Sequence, residues 1–211
     1  MDINWLGHSC FRIKGKSATV ITDPFSPDYG YELGKNGANI VTVSHNHPGH
    51  SYVDGVDGNP RPVTGPGEYE ISGVLIIGIP TFHDAEKGEK RGKNTVYLME
   101  VDEISICHLG DLGHVLTSEQ KEQIDNVDVL LLPVGDVSTI SVRTAAEIVR
   151  QLEPKAVIPM HYQTDALKKK KLTPVDSFLK EMGLKDIATQ PKLTVSRASL
   201  PTGTQVFLLD Y

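Results

Sequence analysis

The chain has 211 residues, 39% of them hydrophobic and 23% charged, which suffices for one domain over 1–211 burying roughly 70% of the surface an unfolded chain exposes. That composition excludes a disordered or low-complexity polymer. A formal net charge of −6 sets the whole-molecule field against nucleic acid and anionic membranes, and no apolar run approaches the ~20 residues that cross a bilayer.

The start, Met1-Asp2-Ile3-Asn4, lacks a basic segment followed by an apolar one, so a cytoplasmic location is expected. Residues 4–13 and 18–22 read as consecutive strands joined by a turn at 14–16, and residues 40–43 as a short strand buried on both faces. The stretch 54–60 is too rich in turn formers to hold a helix. Residues 68–71 and 74–79 predict a hairpin around Ser72-Gly73, and 94–101 and 104–107 a second one turning at Asp102-Glu103.

From there the rhythm changes to alternating helix and strand. Thr117 with Gln120 predicts a capping box opening a helix to about residue 124, followed by a buried strand over 127–132. Apolar spacing predicts a helix over 141–152, a strand over 156–160 and a helix over 173–182 stopped by Gly183. Two strands, near 193–195 and 205–209, end the chain. The basic run 168–171 reads as a solvated helix end. Cys10 and Cys107 are too few for a disulfide framework and lie in apolar stretches, so free buried thiols are expected.

Histidine carries the chemical signal. Three of the eight fall in the segment His45-Asn46-His47-Pro48-Gly49-His50, and the others are His8, His83, His108, His114 and His161. In an extended segment His45 and His47 face the same side and can share one ion through imidazole nitrogen. His45, His83, Asp111 and His161 each follow the end of a predicted strand, where rigid elements hold loop residues at one rim. His83 can then supply a third nitrogen, Asp111 a bridging carboxylate and His161 a ligand to a second ion. His114 lines the mouth of such a site or is merely exposed. His108 is expected behind it, and Asp23 either shapes a turn or orients a ligating histidine.

The series Gly7-His8-Ser9, Asp23-Pro24, Ser44-His45-Asn46-His47-Pro48-Gly49-His50, Phe82-His83-Asp84, Leu109-Gly110-Asp111 and Pro159-Met160-His161-Tyr162 resembles the metallo-β-lactamase superfamily. Within it, the chain is similar to the small bacterial metal-dependent hydrolases related to the ascorbate-phosphate lactonases. The resemblance spans about residues 1–165. It implies an α/β fold, α+β by content: a four-layer αββα sandwich of two mixed sheets flanked by helices, with metals at one edge. It also implies a first ion on His45, His47 and His83, Asp111 as the bridge, and a second ion that also uses His50 and His161.

The implied cofactor is Zn²⁺, one or two ions, with Mn²⁺ or Fe able to replace it. The implied activity is hydrolysis of a small ester, lactone or phosphoester by metal-bound hydroxide, with Asp111 bridging the metals or holding the water; His8, in its Gly-His-Ser turn, either donates to the developing oxyanion or is a satisfied structural histidine at the turn. The family pattern HxHxDH has an Asp where this chain has Gly49. Three outcomes follow: the second ion is not held; Asp84, Asp136 or His114 substitutes; or the fold persists as a non-catalytic or regulatory metal-binding member. A nuclease is a further alternative, opposed by the acidic charge. The expected partner is a small-molecule substrate, with no nucleic acid, no membrane and a homo-oligomeric state as the default for soluble enzymes. Loops 26–37 and 84–93, rich in Gly and charge, are expected to act as mobile lids.

Overall fold

Strands that are apolar on both faces must be covered on both faces, and this requirement shapes the molecule. In the computed structural model, which describes residues 1–168 and 171–211, the first third supplies β1 (Asp2–Gly7), β2 (Cys10–Lys14), β3 (Thr19–Thr22), β4 (Ile40–Thr42) and β5 (Arg61–Val63). A second set comprises β6 (Gly67–Ile71), β7 (Val74–Phe82), β8 (Lys93–Val101), β9 (Ile104–His108), β10 (Val129–Pro133) and β11 (Ala156–Met160). The short strands β12 (Thr189–Gln190), β13 (Leu193–Thr194), β14 (Gln205–Val206) and β15 (Leu208–Leu209) finish the chain. They assemble into a six-stranded mixed sheet, β13-β1-β2-β3-β4-β5, a seven-stranded mixed sheet, β14-β11-β10-β9-β8-β7-β6, and a small β12-β15 pair.

The segment 4–13, expected as one strand, is instead the β1–β2 hairpin. Gly7 and His8 both take left-handed φ values, 104° and 52°, which turns the chain where apolar alternation shows no break. The hairpins at Ser72-Gly73 and Asp102-Glu103 pair in the expected register. β5 and β12 had no apolar run to announce them, and the segment 205–209 divides into β14 and β15.

Period-two alternation sorts the six-stranded sheet between two cores. Val20 and Ile40 join the main cluster with residues of the seven-stranded sheet, whereas Ile21 and Val41 face a second cluster with Phe25, Tyr29, Tyr31, Leu167 and Leu172. On that outer face the covering layer is loop and 3₁₀ turn, such as Pro27–Tyr29; among the described residues no α-helix contributes to it. The α-helices α1 (Ser118–Gln123), α2 (Val142–Leu152) and α3 (Val175–Glu181) all belong to the second half. α1 opens with the expected Thr117–Gln120 capping box, and α2 is capped by Ser141 and buries Ala145, Ala146, Ile148 and Val149. Of the basic run, Lys169 and Lys170 lie outside the described residues, and the exposed Lys168 and Lys171 are in no helix. Cys10 and Cys107 are free, buried thiols. Among the described residues, no helix is long and apolar enough to cross a membrane.

Strand polarity decides where the site forms. β7 and β9 are each antiparallel to β8, and β9, β10 and β11 are mutually parallel. β7, β9 and β11 therefore end at the same rim. Two contacts lock this rim to the other sheet: the Thr95 amide donates to the Ser44 carbonyl at 2.8 Å, and the Tyr97 hydroxyl lies 2.9 Å from the Val43 carbonyl and 3.1 Å from that of Val63 while accepting from the Gly65 amide at 2.8 Å. Removing this buried hydroxyl strands its partners, at about 1–3 kcal/mol. Tyr97→Phe is therefore expected to lower unfolding free energy by that amount in a urea titration, with secondary structure unchanged.

Candidate metal centre

Each candidate residue reaches the rim from the end of a strand or from a hairpin turn. His45, His47 and His50 follow β4, His83 follows β7, Asp111 follows β9, His161 follows β11, and His8 sits in the β1–β2 turn. The structure brings all seven together. Potential ligand atoms of His45, His83 and Asp111 lie within 4.8 Å of one another, as do those of His45, His47 and His50, and those of His8, His50 and His161. The rings of His45 and His47 are nearly parallel, 17° apart with centroids 5.7 Å apart, although the segment that carries them bends after β4 rather than running extended.

Asp111 is the hub. Its Oδ2 lies 3.3 Å from His50 Nε2, 3.3 Å from His83 Nε2 and 3.4 Å from His161 Nε2. Its backbone amide donates to Asn94 Oδ1 at 3.0 Å, and the Asn94 amide group donates to Thr81 Oγ1 and the Leu109 carbonyl. Gly110 makes this approach possible: its φ is 56°, and a Cβ there would come within 2.5 Å of Asn94 Oδ1. Asn94, at the start of β8, carries no motif that would reveal this role.

A second buried carboxylate stands behind the first. Asp23 accepts from the Ser44 amide at 2.7 Å, the Ser44 hydroxyl at 2.6 Å and His50 Nδ1 at 2.9 Å. This fixes His50 with Nε2 aimed at Asp111, the position in which an acid behind an imidazole can orient it. His108 is buried one layer further out, bonded to the Ser9 carbonyl and the Gly110 amide. His47 Nδ1 accepts from the Gly49 amide at 3.2 Å.

Several residues are placed elsewhere. His114 accepts from the Phe82 amide through Nε2 and binds the Val115 carbonyl through Nδ1, so both nitrogens serve the backbone. The Asp84 carboxylate gathers the amides of Glu86, Gly88, Lys90 and Arg91; it organises its own loop, and segment 84–93 is pinned rather than a loose lid. Asp136 is exposed. In loop 26–37, Tyr29 and Tyr31 are buried and anchor the segment. Tyr29 also accounts for Gly49: a Cβ at residue 49 would fall 2.7–2.9 Å from the Tyr29 ring. The room an acidic side chain would need is filled by a phenol, which nothing in the local sequence announces.

The donor set fits a metal ion. His45 Nε2, His83 Nδ1, His161 Nδ1 and Asp111 Oδ1 are buried polar atoms without hydrogen-bond partners, and orphaned atoms of this kind are costly unless something else satisfies them. Imidazole with carboxylate suits zinc, manganese or iron. The charge state agrees. Burial, then His50, pulls His45 down to about 3, leaving it neutral and ready to donate. Burial also works against protonation of His50, but the Asp111 and Asp23 carboxylates outweigh it and push that group up to about 10. Burial works against the Asp111 anion, yet His161 and His50 hold its carboxyl well below the usual range. Without an ion, a proton on His50 supplies the positive charge.

Comparison with known proteins places this geometry. The family described as beta-lactamase superfamily domain matches residues 2–161. A Thermotoga maritima protein of the metallo-beta-lactamase superfamily has a solved structure that is 40% identical, covering 99% of this chain and 97% of that one with a TM-score of 0.81. A Pyrobaculum calidifontis protein named UPF0173 metal-dependent hydrolase is 28% identical over 195 residues, covering 78% of this chain and 85% of its own length. Igni18, a metallo hydrolase from the archaeon Ignicoccus hospitalis, is 20% identical with a TM-score of 0.64, covering 92% of this chain and 97% of its own; at that identity the likeness is one of fold alone.

The charge balance of the centre makes the stability of the metal-free protein depend on pH in two directions. Between about 3 and the ordinary 6.5, the unfolded chain protonates His45 and the folded chain does not, so stability rises with pH. Between 6.5 and about 10 the folded chain keeps the His50 proton that the unfolded chain has released, so stability falls with pH. Metal-free protein is expected to show its highest urea midpoint near pH 6.5. Metal-loaded protein is expected to lose the alkaline decline, because a bound ion displaces the His50 proton.

Proposed function

The chain belongs to the beta-lactamase superfamily domain family, and from that membership we propose that it is a metal-dependent hydrolase acting on a small ester, lactone or phosphoester. The observation that carries this is the convergence of buried imidazoles on Asp111, whose Oδ1 and the His45 Nε2 have no hydrogen-bond partner. The named activity of the 28%-identical relative supports it. Zinc is the ion we propose, since borderline-soft imidazole nitrogen with one carboxylate matches its common ligand sets. When bound, such an ion supplies Lewis acidity and water that deprotonates near neutral pH.

The chain's own residues do the remaining work. Asn94 holds the Asp111 backbone and Asp23 holds His50, so the donor atoms are set before substrate arrives. A cavity of about 860 Å³ borders His45 and is walled by Val43, Pro66, Pro80 and Phe82, with Arg91 and Lys93 also on its lining. The apolar walls suit the hydrocarbon part of a small substrate, and the two cations favour one carrying a carboxylate or phosphate. The narrower kinship with ascorbate-phosphate lactonases belongs to the same proposal, because it brings anionic lactones into the substrate class.

The test is turnover of a panel of small lactones, carboxylic esters and phosphodiesters before and after chelation. Activity is expected to vanish with the chelator and return with zinc. Asp111→Asn is expected to abolish it, and Asn94→Ala to lower kcat/KM by about 10–100-fold, the usual effect of losing a residue that orients a ligand. Tight metal binding without turnover of any of the three classes would instead establish a non-catalytic member of the family.

A further inference from the structure

His8, His50 and His161 form a triad of imidazoles whose ligand atoms lie within 4.8 Å of one another, all buried at 2% exposure or less. The His8 ring stands 4.3 Å from His161 and 4.9 Å from His50, centroid to centroid. His50 Nε2 and His161 Nε2 both lie beside Asp111 Oδ2, at 3.3 Å and 3.4 Å. Three imidazoles thus converge on one point, and two of them also flank the Asp111 carboxylate.

The backbone is built to hold this arrangement. His8 and His161 each have φ of 52°, a left-handed conformation that non-glycine residues rarely adopt and that persists where surrounding structure over-determines it. The His8 carbonyl accepts both the His161 amide at 2.9 Å and the Trp5 indole N–H at 3.0 Å. A hairpin turn of one sheet is thereby fastened to a strand end of the other at the two histidines.

The other possible sources of a ligand are accounted for. Residue 49 has no side chain and no room for one, because the Tyr29 ring occupies it. Asp84 is committed to four backbone amides, both nitrogens of His114 bind backbone, and Asp136 is exposed. The Tyr29 ring that closes off residue 49 also packs against His8, with centroids 4.9 Å apart. One aromatic side chain therefore removes the place of an acidic ligand and supports an imidazole beside it.

We propose that His8 is a metal ligand, completing with His50, His161 and the Asp111 carboxylate a second site for a divalent transition ion such as zinc. This rests on the metal centre proposed above and changes the role of His8 from donor to a developing oxyanion to ligand. The chain then holds two ions despite Gly49, with an N₃O donor set in the second site. That set carries one negative charge fewer than a set with an added carboxylate.

The test is metal content per chain after dialysis against zinc, together with visible and near-ultraviolet absorption of the cobalt-substituted protein. The native chain is expected to hold two ions. His8→Ala is expected to hold one, with the second weakened by more than about 100-fold, beyond the 10–100-fold typical of losing an orienting partner. His114→Ala is expected to keep both. His8→Cys keeps the test decisive if the alanine variant folds poorly: a thiolate at residue 8 on cobalt is expected to add a sulfur-to-metal charge-transfer band. Two ions at native affinity in His8→Ala, or a cobalt spectrum of folded His8→Cys without that band, would overturn the role of His8 and leave the metal centre standing. A native chain holding one ion whose spectrum ignores substitution at residue 8 would do the same. Failure of the native chain to bind any ion would sink the metal centre itself.

Discussion

Two buried carboxylates with an imidazole between them are the constraint on which the rest of this structure depends. Asp23 and Asp111 are 0% and 2% exposed, and their charged partners among the described residues are imidazoles. Burying anions in a sheet sandwich is affordable only if positive charge and hydrogen bonds come with them. The six histidines around the rim are arranged to meet that demand, with a proton on His50 when no ion is present and with a metal when one is. Asp23 answers mainly to structure, through the Ser44 amide and hydroxyl, while Asp111 leaves Oδ1 without a partner. The first carboxylate shapes the site, and the second is the one available for chemistry.

The sandwich converts that demand into geometry. Because β7, β9 and β11 run the same way, their ends deliver His83, Asp111 and His161 to one rim without any long loop. The facing sheet brings His8 and the 45–50 segment to the same place, and the Thr95–Ser44, Tyr97–Val43 and His161–His8 bonds set the spacing between the two halves. Several rim residues, His8, Asp23 and His161, take left-handed backbone conformations. Local strain of this kind, of order 1–3 kcal/mol each, is held in place by the packed sheets beneath it.

Tyr29 connects the departure at Gly49 to the rest of the centre. The phenol reaches from a 3₁₀ turn in loop 26–37 into the volume that a side chain at residue 49 would claim. An acid introduced at residue 49 must therefore displace a buried ring, so the glycine and the tyrosine act as a pair. The same ring lies against His8 and near His47, which ties the position of both histidines to a loop whose composition alone reads as mobile.

Much of this was legible in the chain. Apolar runs ending in His or Asp marked the rim, turn formers marked the two hairpins after residue 67, and the Thr117–Gln120 pair marked the start of α1, because each signal is local and carried by a few adjacent residues. The identity of the residues at the centre belongs to this class. Their division of labour does not. That Asp84 serves its own loop, that His114 serves backbone, that Asn94 supports Asp111 and that Tyr29 fills the space beside Gly49 are contacts between segments tens of residues apart. Sequence order and chemistry set which groups could meet. The packing of two twisted sheets, whose side chains must fill a shared interior without voids or clashes, set which of them do.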